Sequence, residues 1–312
     1  VLAFGVNRVF ALAAAALLAA GCAPEPKPAP GPEGGPLTSV AYQLQDYRDD
    51  RLDEIARSAH PLAVIDLARD AADQYFTADE IARVRATGKK VLAYFEIGAI
   101  EEFRPEFREI RDGNADLLLN EWPEWPGERF VRYWDPRWWR LVVQPRLDRA
   151  IAAGFDGVYL DTPLAYEEIR LELVPAERRD GLGAKMAELI VRITEYARSA
   201  KPGFWIFPQN SPELRRYPGY EAAIDGIGME ELFFRATDEP CVQDYCAENL
   251  REARALRDAG KLVVAIDYAT RPENIATACR RYREEHFAGS VTVRSLDRIT
   301  APCPGTKGTI TW

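Results

Sequence analysis

The sequence predicts a single (β/α)8 TIM barrel, an α/β fold, and three observations carry that prediction. Short apolar runs alternate with helical stretches eight times between Thr38 and Arg294. Several of the runs are continuously apolar, as strands buried on both faces of a parallel sheet are. Polar residues close them repeatedly at the same end, where barrels of this class build their active sites. An open doubly wound sheet is the competing architecture. It usually carries a glycine-rich turn after its first strand, and Gln43-Leu44-Gln45-Asp46 is not one.

Three segments follow one another. Arg8 precedes an apolar run from Val9 to Ala20, and small residues lead on to Cys22. That order describes a secretory signal peptide over residues 1–21, because a run of roughly a dozen residues is too short for a mature spanning helix. Ala19-Ala20-Gly21-Cys22 resembles a bacterial lipoprotein processing site, which implies cleavage before Cys22 and lipidation of its thiol. Residues 22–36, rich in Pro and Gly, read as a tether. Residues 37–312 form the barrel. The expectation is an extracytoplasmic monomer, lipid-anchored to a bacterial membrane at the outer membrane or cell surface.

The strands expected in order are Val40–Gln45, Leu62–Leu67, Lys90–Ile97, Gly157–Asp161, Phe204–Gln209, Gly226–Glu231, Leu262–Tyr268 and Ser290–Arg294. Between them, Thr77-Ala78-Asp79-Glu80 opens a helix with a capping box, and Gly88 stops it. Asp135-Pro136 opens another, with proline at its first position, running to Gly154. Gly183–Ser199, Glu248–Ala259 and Pro272–Phe287 supply further helices.

With 47% hydrophobic and 29% charged residues the composition is globular. The net charge of −9 excludes a nucleic-acid binder, whose footprint is basic, and suits a cationic partner. Beyond Cys22 stand Cys241, Cys246, Cys279 and Cys303. An even number in an exported chain permits disulfides, and three pairings are open; proximity suggests Cys241 with Cys246, leaving Cys279 with Cys303. Zinc is poorly served: there is no Cys-x2-Cys pair, and His60 and His286 stand far apart. No metal or cofactor is indicated.

Function is read from the strand exits. They are Gln45 and Asp46, Asp66, Glu96, Asp161, Gln209 and Asn210, Glu230 and Glu231, Asp267, and Arg294. One strand-end acid alone usually caps the next helix. The collection is harder to assign to capping, because burying so many polar groups is costly without a use. Gly154 to Thr162, GFDGVYLDT, is the clearest case: Val158 and Leu160 share one face, Tyr159 and Asp161 the other. Asp161 is therefore the leading catalytic candidate. Asn120 to Trp139 holds five of the seven tryptophans. Trp138 and Trp139, inside a helix, belong to the core; Trp122 and Trp125, in a proline-interrupted loop, are candidates for stacking on sugar rings.

These motifs resemble glycoside hydrolase family 114, the endo-α-1,4-polygalactosaminidases and their bacterial relatives. The likeness runs through VAYQLQ, VIDL, GKKVLAYFEIGAIEEFRPEF, NEWPEWPGERFVRYWDP, GFDGVYLDT, FPQN, DGIGMEELFF and KLVVAIDYA. The resemblance implies cleavage of an α-linked amino-sugar polysaccharide by two carboxylates, with Asp161 as nucleophile and the sixth-strand acid as general acid/base. Strand parity selects Glu230 over Glu231 if Gly226, Gly228 and Glu230 face the barrel interior. A retaining pathway asks Asp161 to stay ionised, helped by Asn210 or Gln209, Tyr94 or Tyr159, and Glu230 to hold a proton. Asp46, Asp66, Glu96 and Asp267 are expected as anionic contacts for a sugar ammonium. A non-catalytic carbohydrate-binding lipoprotein is the alternative.

Overall fold

The computed structural model describes residues 37–304. The expected leader, Cys22 and the whole tether lie outside the described residues.

Eight parallel strands form the barrel: β1 (Val40–Tyr42), β2 (Leu62–Asp66), β3 (Lys90–Glu96), β4 (Gly157–Asp161), β5 (Trp205–Pro208), β6 (Gly226–Glu230), β7 (Leu262–Tyr268) and β8 (Ala288–Thr292). β1 to β5 hydrogen-bond in sequence order, and β6, β7 and β8 form a second run. Two seams join them. At one, Gln209 bridges Gly228 in parallel and the Asn210 N–H donates to the Gly228 carbonyl at 2.7 Å. At the other, the Gly289 N–H donates to the Thr38 carbonyl at 3.1 Å. There the Ser290 hydroxyl also receives the Val40 N–H at 2.9 Å and donates to the Val40 carbonyl at 2.7 Å.

Alternation along each strand separates two cores. Val40, Tyr42, Val64, Leu92, Tyr94, Tyr159, Phe207, Val264, Ile266 and Tyr268 fill the barrel. Ala63, Ile65, Val91, Val158, Leu160, Ile227 and Met229 face outward to the helices. β6 is the thin wall: at Gly226 a Cβ would lie 2.4 Å from the Phe207 ring. Bulky neighbours fill what β6 leaves empty.

The strand boundaries shift from expectation at both ends of the ring. β1 stops at Tyr42 because Leu44 already donates to the Leu296 carbonyl at 2.9 Å and Asp46 turns with φ 54°. β8 begins two residues early, at Ala288. The left-handed His286 ends the preceding helix (Pro272–Glu285) and sends the chain straight into Ala-Gly-Ser. Those small residues are poor strand formers, but Gly289 lies under the Tyr282 ring and Ser290 makes the seam.

The capping box at Thr77 and the Asp135-Pro136 helix start are both present. The latter helix widens into a π turn over Trp139–Val143 just before Pro145, which brings no N–H to the ladder. Asn120 to Trp139, expected as a loop, is partly sheet. Ala99–Glu101, Glu128–Val131 and Leu118–Glu121 pair antiparallel in that spatial order. The prolines at 123 and 126 masked the alternation. Trp138 and Trp139 are core, and the Trp138 indole N–H donates to the Ile97 carbonyl at 2.9 Å. Cys241–Cys246 and Cys279–Cys303 are disulfides. His60 is a core residue between Ser39 and Thr300, and His286 is exposed.

Candidate active site

Asp161 and Glu230 close β4 and β6 on the inward-facing side, at the carboxyl end of the barrel. Asp161 Oδ2 accepts from the Tyr94 hydroxyl at 2.5 Å, and Oδ1 accepts from the Thr162 N–H at 2.6 Å. That second bond depends on Thr162 holding φ at 63°, a left-handed conformation a β-branched residue rarely adopts. Thr162 is fixed there because its hydroxyl receives the Gly98 N–H at 2.9 Å and donates to the Asp161 carbonyl at 2.7 Å. Asn210, Ser211 and Glu231, at neighbouring strand exits, also have positive φ. Such strain gathers where a rigid scaffold aims functional groups.

Glu230 is held by hydroxyls. Oε1 accepts from Tyr159 at 3.0 Å and Oε2 from Tyr268 at 2.5 Å. The Gln209 amide and the Tyr42 hydroxyl add to these in favouring its charged form. The Glu230 N–H donates to Asn210 Oδ1 at 2.9 Å, so Asn210 sets the backbone of this strand end. Parity was legible: Glu230 faces inward, and the Glu231 side chain turns back to receive the Ala236 N–H.

Both carboxyls are driven toward the neutral form. Burial and the charge of Glu230 push Asp161 up to about 7, against the Tyr94 and Thr162 bonds. Burial raises Glu230 too, against its hydroxyl donors. The expectation that Gln209 and Asn210 keep Asp161 ionised is therefore corrected: both serve Glu230, and Asp161 relies on Tyr94 and one backbone N–H.

Of the other predicted acids, Asp66, Glu96 and Asp267 present no free carboxylate to the site. Asp66 and Glu96 are buried on Arg104, at 2.9 Å each, and Glu96 also meets Arg146 at 2.8 Å. The two guanidiniums hold the Glu96 carboxyl well below the usual range. Asp267 has the wrong parity: it points outward, accepting from the Phe233 and Phe234 N–H groups and from Tyr282 at 2.8 Å. Asp46 is exposed. Strand-exit position marks where an acid lies; it carries no information on which arginine a distant loop brings.

Glu230 opens into a groove of about 350 Å³. Trp122 lines one side and Tyr245 and Asn249 another, with Glu124, Glu167, Glu168, Glu213 and Glu231 around it and no lysine or arginine. A wall of one sign attracts cations. Trp125 is 43% exposed but stands back from the groove, edge-on to Trp122 at 6.4 Å and under the Arg294 guanidinium. Among the described residues, no group of three or more His, Cys, Asp or Glu is placed to hold a metal ion.

The sequence model of glycoside-hydrolase family GH114 matches residues 21–307. The chain belongs to that family. A protein of Deinococcus radiodurans is 36% identical over 258 residues, 82% of this chain and 80% of that one. A Thermotoga maritima protein is 32% identical over 237 residues, 75% and 71% of the two chains. The fold is shared with the glycoside hydrolase domain of PelA from Pseudomonas aeruginosa, at TM-score 0.65 and 20% identity, covering 84% of this chain and 97% of that domain. It is shared equally with Aspergillus fumigatus Ega3, solved in complex with galactosamine, at TM-score 0.67 and 18% identity, covering 88% and 99%.

The GH114 chain is thus a glycosidase on a TIM barrel. Three residues of the candidate site are absent from the sequence reading. Tyr42 and Tyr268 follow from strand parity, since both end inward-facing series in β1 and β7. Glu128, on the inserted antiparallel sheet, gives no such signal: it belongs to no barrel strand, and only the fold brings it near Asp161.

Proposed function

We propose that this GH114 enzyme cleaves an α-linked, galactosamine-containing polysaccharide by double displacement. Asp161 attacks the anomeric carbon, and Glu230 first protonates the leaving oxygen and then deprotonates the incoming water. The observation that carries the reading is the pairing itself: two inward acids at the carboxyl ends of β4 and β6, coupled so that the charge of one raises the other. Such a pair resists holding two negative charges, so one proton is available for the leaving group. Tyr159 and Tyr268 orient Glu230, and Tyr94 orients Asp161. The glutamate-lined groove suits a partly deacetylated, cationic chain, and Trp122 offers an aromatic face to a sugar ring.

The N-terminal residues 1–36 support anchoring at Cys22 and work outside the cytoplasm, and two disulfides fit an oxidising compartment. We take the enzyme to act as a monomer.

The test is release of new reducing ends from partly deacetylated α-1,4-galactosamine polymer, with Asp161→Asn and Glu230→Gln alongside and a chelator in one arm. Cleavage abolished in both variants and indifferent to chelator is expected. Binding without cleavage by the parent would replace the hydrolase with a carbohydrate-binding protein. A distinct glycan preference would keep the mechanism and change the substrate.

A further inference from the structure

The charge cluster behind Asp161 leaves one carboxyl unserved. Arg104 commits Nε to Glu101, Nη1 to Asp66 and the Ala71 carbonyl, and Nη2 to Glu96. Arg146 is committed to Glu96 and Glu106. Glu128 sits directly opposite Glu101 in the antiparallel pair, so the two side chains share a face. It is 7% exposed, and its buried Oε1 accepts no hydrogen bond. The charges that act on it are Asp161, Glu96 and Arg104. Buried acceptors without a donor are rare in folded proteins, and each calls for an explanation. Here burial and the Asp161 charge keep the carboxyl protonated, pushed up to about 9.

We propose that Glu128 is a specificity-determining residue whose carboxyl receives the ammonium of an amino sugar seated against Asp161. The inference rests on Asp161 as the catalytic acid and on an amino-sugar substrate. Among the described residues, six carboxyls (Asp66, Glu96, Glu101, Glu106, Glu128 and Asp161) meet two guanidiniums in this region, Arg104 and Arg146, and Glu101, already bonded to Arg104, is like Glu128 pushed up, to about 10, by burial and the Glu96 charge. An ammonium supplies the third cation. As it binds, Glu128 gives up its proton to solvent and becomes the charged partner. The same positive charge draws Asp161 toward its ionised form, which nucleophilic attack needs. An acetylated nitrogen brings no charge and does neither. Recognition of the free amine and arming of the nucleophile are then one event.

The test uses the full chain and its Glu128→Gln variant. Galactosamine and N-acetylgalactosamine are titrated calorimetrically near pH 7 in two buffers of different protonation enthalpy. kcat/KM is measured on fully deacetylated and fully N-acetylated α-1,4-galactosamine oligomers. The parent should release protons on binding galactosamine and not on binding the N-acetylated sugar. Glu128→Gln should lose the Glu128 share of that release and keep only the fraction of a proton that Asp161 gives up, and its deacetylated-to-acetylated kcat/KM ratio should fall at least tenfold. A parent that cuts the oligomers while the variant keeps both ratio and proton release would overturn the inference and leave the hydrolase standing. A parent that cuts neither oligomer would fail the substrate reading, and the proton-release comparison would then decide Glu128 alone. Should Glu128→Gln not fold, Glu128→Asp, which shortens the reach and keeps the charge, must lower the ratio while retaining proton release; an unchanged ratio there also overturns it.

Discussion

The Tyr159 hydroxyl reaches from β4 across to Glu230 Oε1 on β6, 3.0 Å away, passing over the residue where a side chain is missing. That residue is Gly228, where a Cβ would lie 2.1 Å from the same hydroxyl oxygen. The glycine is a condition of the hydrogen bond. Gly228→Ala should therefore push Tyr159 off Glu230 and lower kcat by about ten- to a hundredfold, with about 1–3 kcal/mol of lost stability from overpacking. Tyr159→Phe removes the bond without the clash, so it should reproduce the kcat loss while sparing most of the stability. Full activity in Gly228→Ala would show that this hydroxyl does not position the acid.

The pH profile has a sign that can be worked out. In the proposed mechanism Asp161 must be ionised to attack, and burial and the Glu230 charge push its carboxyl up to about 7. kcat/KM, which reports the free enzyme, should rise as pH passes upward through about 7. Removing the Glu230 charge removes a cause of that elevation. On an aryl glycoside whose leaving group needs no acid, Glu230→Gln should move the acid limb to lower pH. Tyr94→Phe deletes a hydrogen bond that favours the carboxylate, so it should move the limb upward. Limbs that stay fixed in both variants would detach the acid limb from Asp161.

The barrel was legible because its signal is local. Eight apolar runs, each closed by a polar residue, follow from what a strand buried on both faces requires. Parity then put Tyr159 and Asp161 on one face of their strand and chose Glu230 over Glu231 for the inner face. The same parity applied to β7 would have turned Asp267 outward, since Tyr268 and Ile266 already face in. Long-range pairing was not legible. Whether Asp66 and Glu96 meet sugar or arginine depends on Arg104, which comes from the excursion after β3. Glu128 is read only once the strands at 99–101 and 128–131 are seen to pair.

Arg104 tests that dependence. It is the shared partner of Asp66, Glu96 and Glu101, and all three bonds are 2.9 Å or shorter. Arg104→Met fills the space but strands buried carboxyls. A loss of about 3–5 kcal/mol in urea unfolding is expected, as for breaking a buried ion pair from one side. Arg104→Lys should recover little of it, because one ammonium cannot reproduce the planar fork. A loss below about 1 kcal/mol would mean the acids simply take up protons at little cost.

The two loop tryptophans should separate in binding. Trp122 lines the groove with its ring packed on Phe130 at 5.3 Å, whereas Trp125 is turned toward Arg294. Trp122→Ala should raise KM for polymer about tenfold, the size of one aromatic contact. Trp125→Ala should change it by less than about threefold. The reverse order would place the sugar path on the Arg294 side of the barrel mouth.

Glu128 also makes a prediction about stability that needs no substrate. In the unfolded chain its carboxyl titrates near 4.3, and in the fold it is raised to about 9. A raised acid means the folded state binds the extra proton between those values. Its contribution is present below the lower value and is lost progressively as pH climbs toward the upper one. The parent should therefore lose stability from about pH 5 to pH 9, and Glu128→Gln, which cannot titrate, should lose less over the same range. Asp161 acts in the same direction, but its window closes at about 7. It titrates in parent and variant alike, so the difference between them should instead widen steadily across the whole range from about pH 5 to pH 9. Tm measured at one-unit intervals in constant ionic strength resolves it. Parallel curves from about pH 5 to pH 9 would mean that Glu128 ionises freely in the fold and finds a donor there.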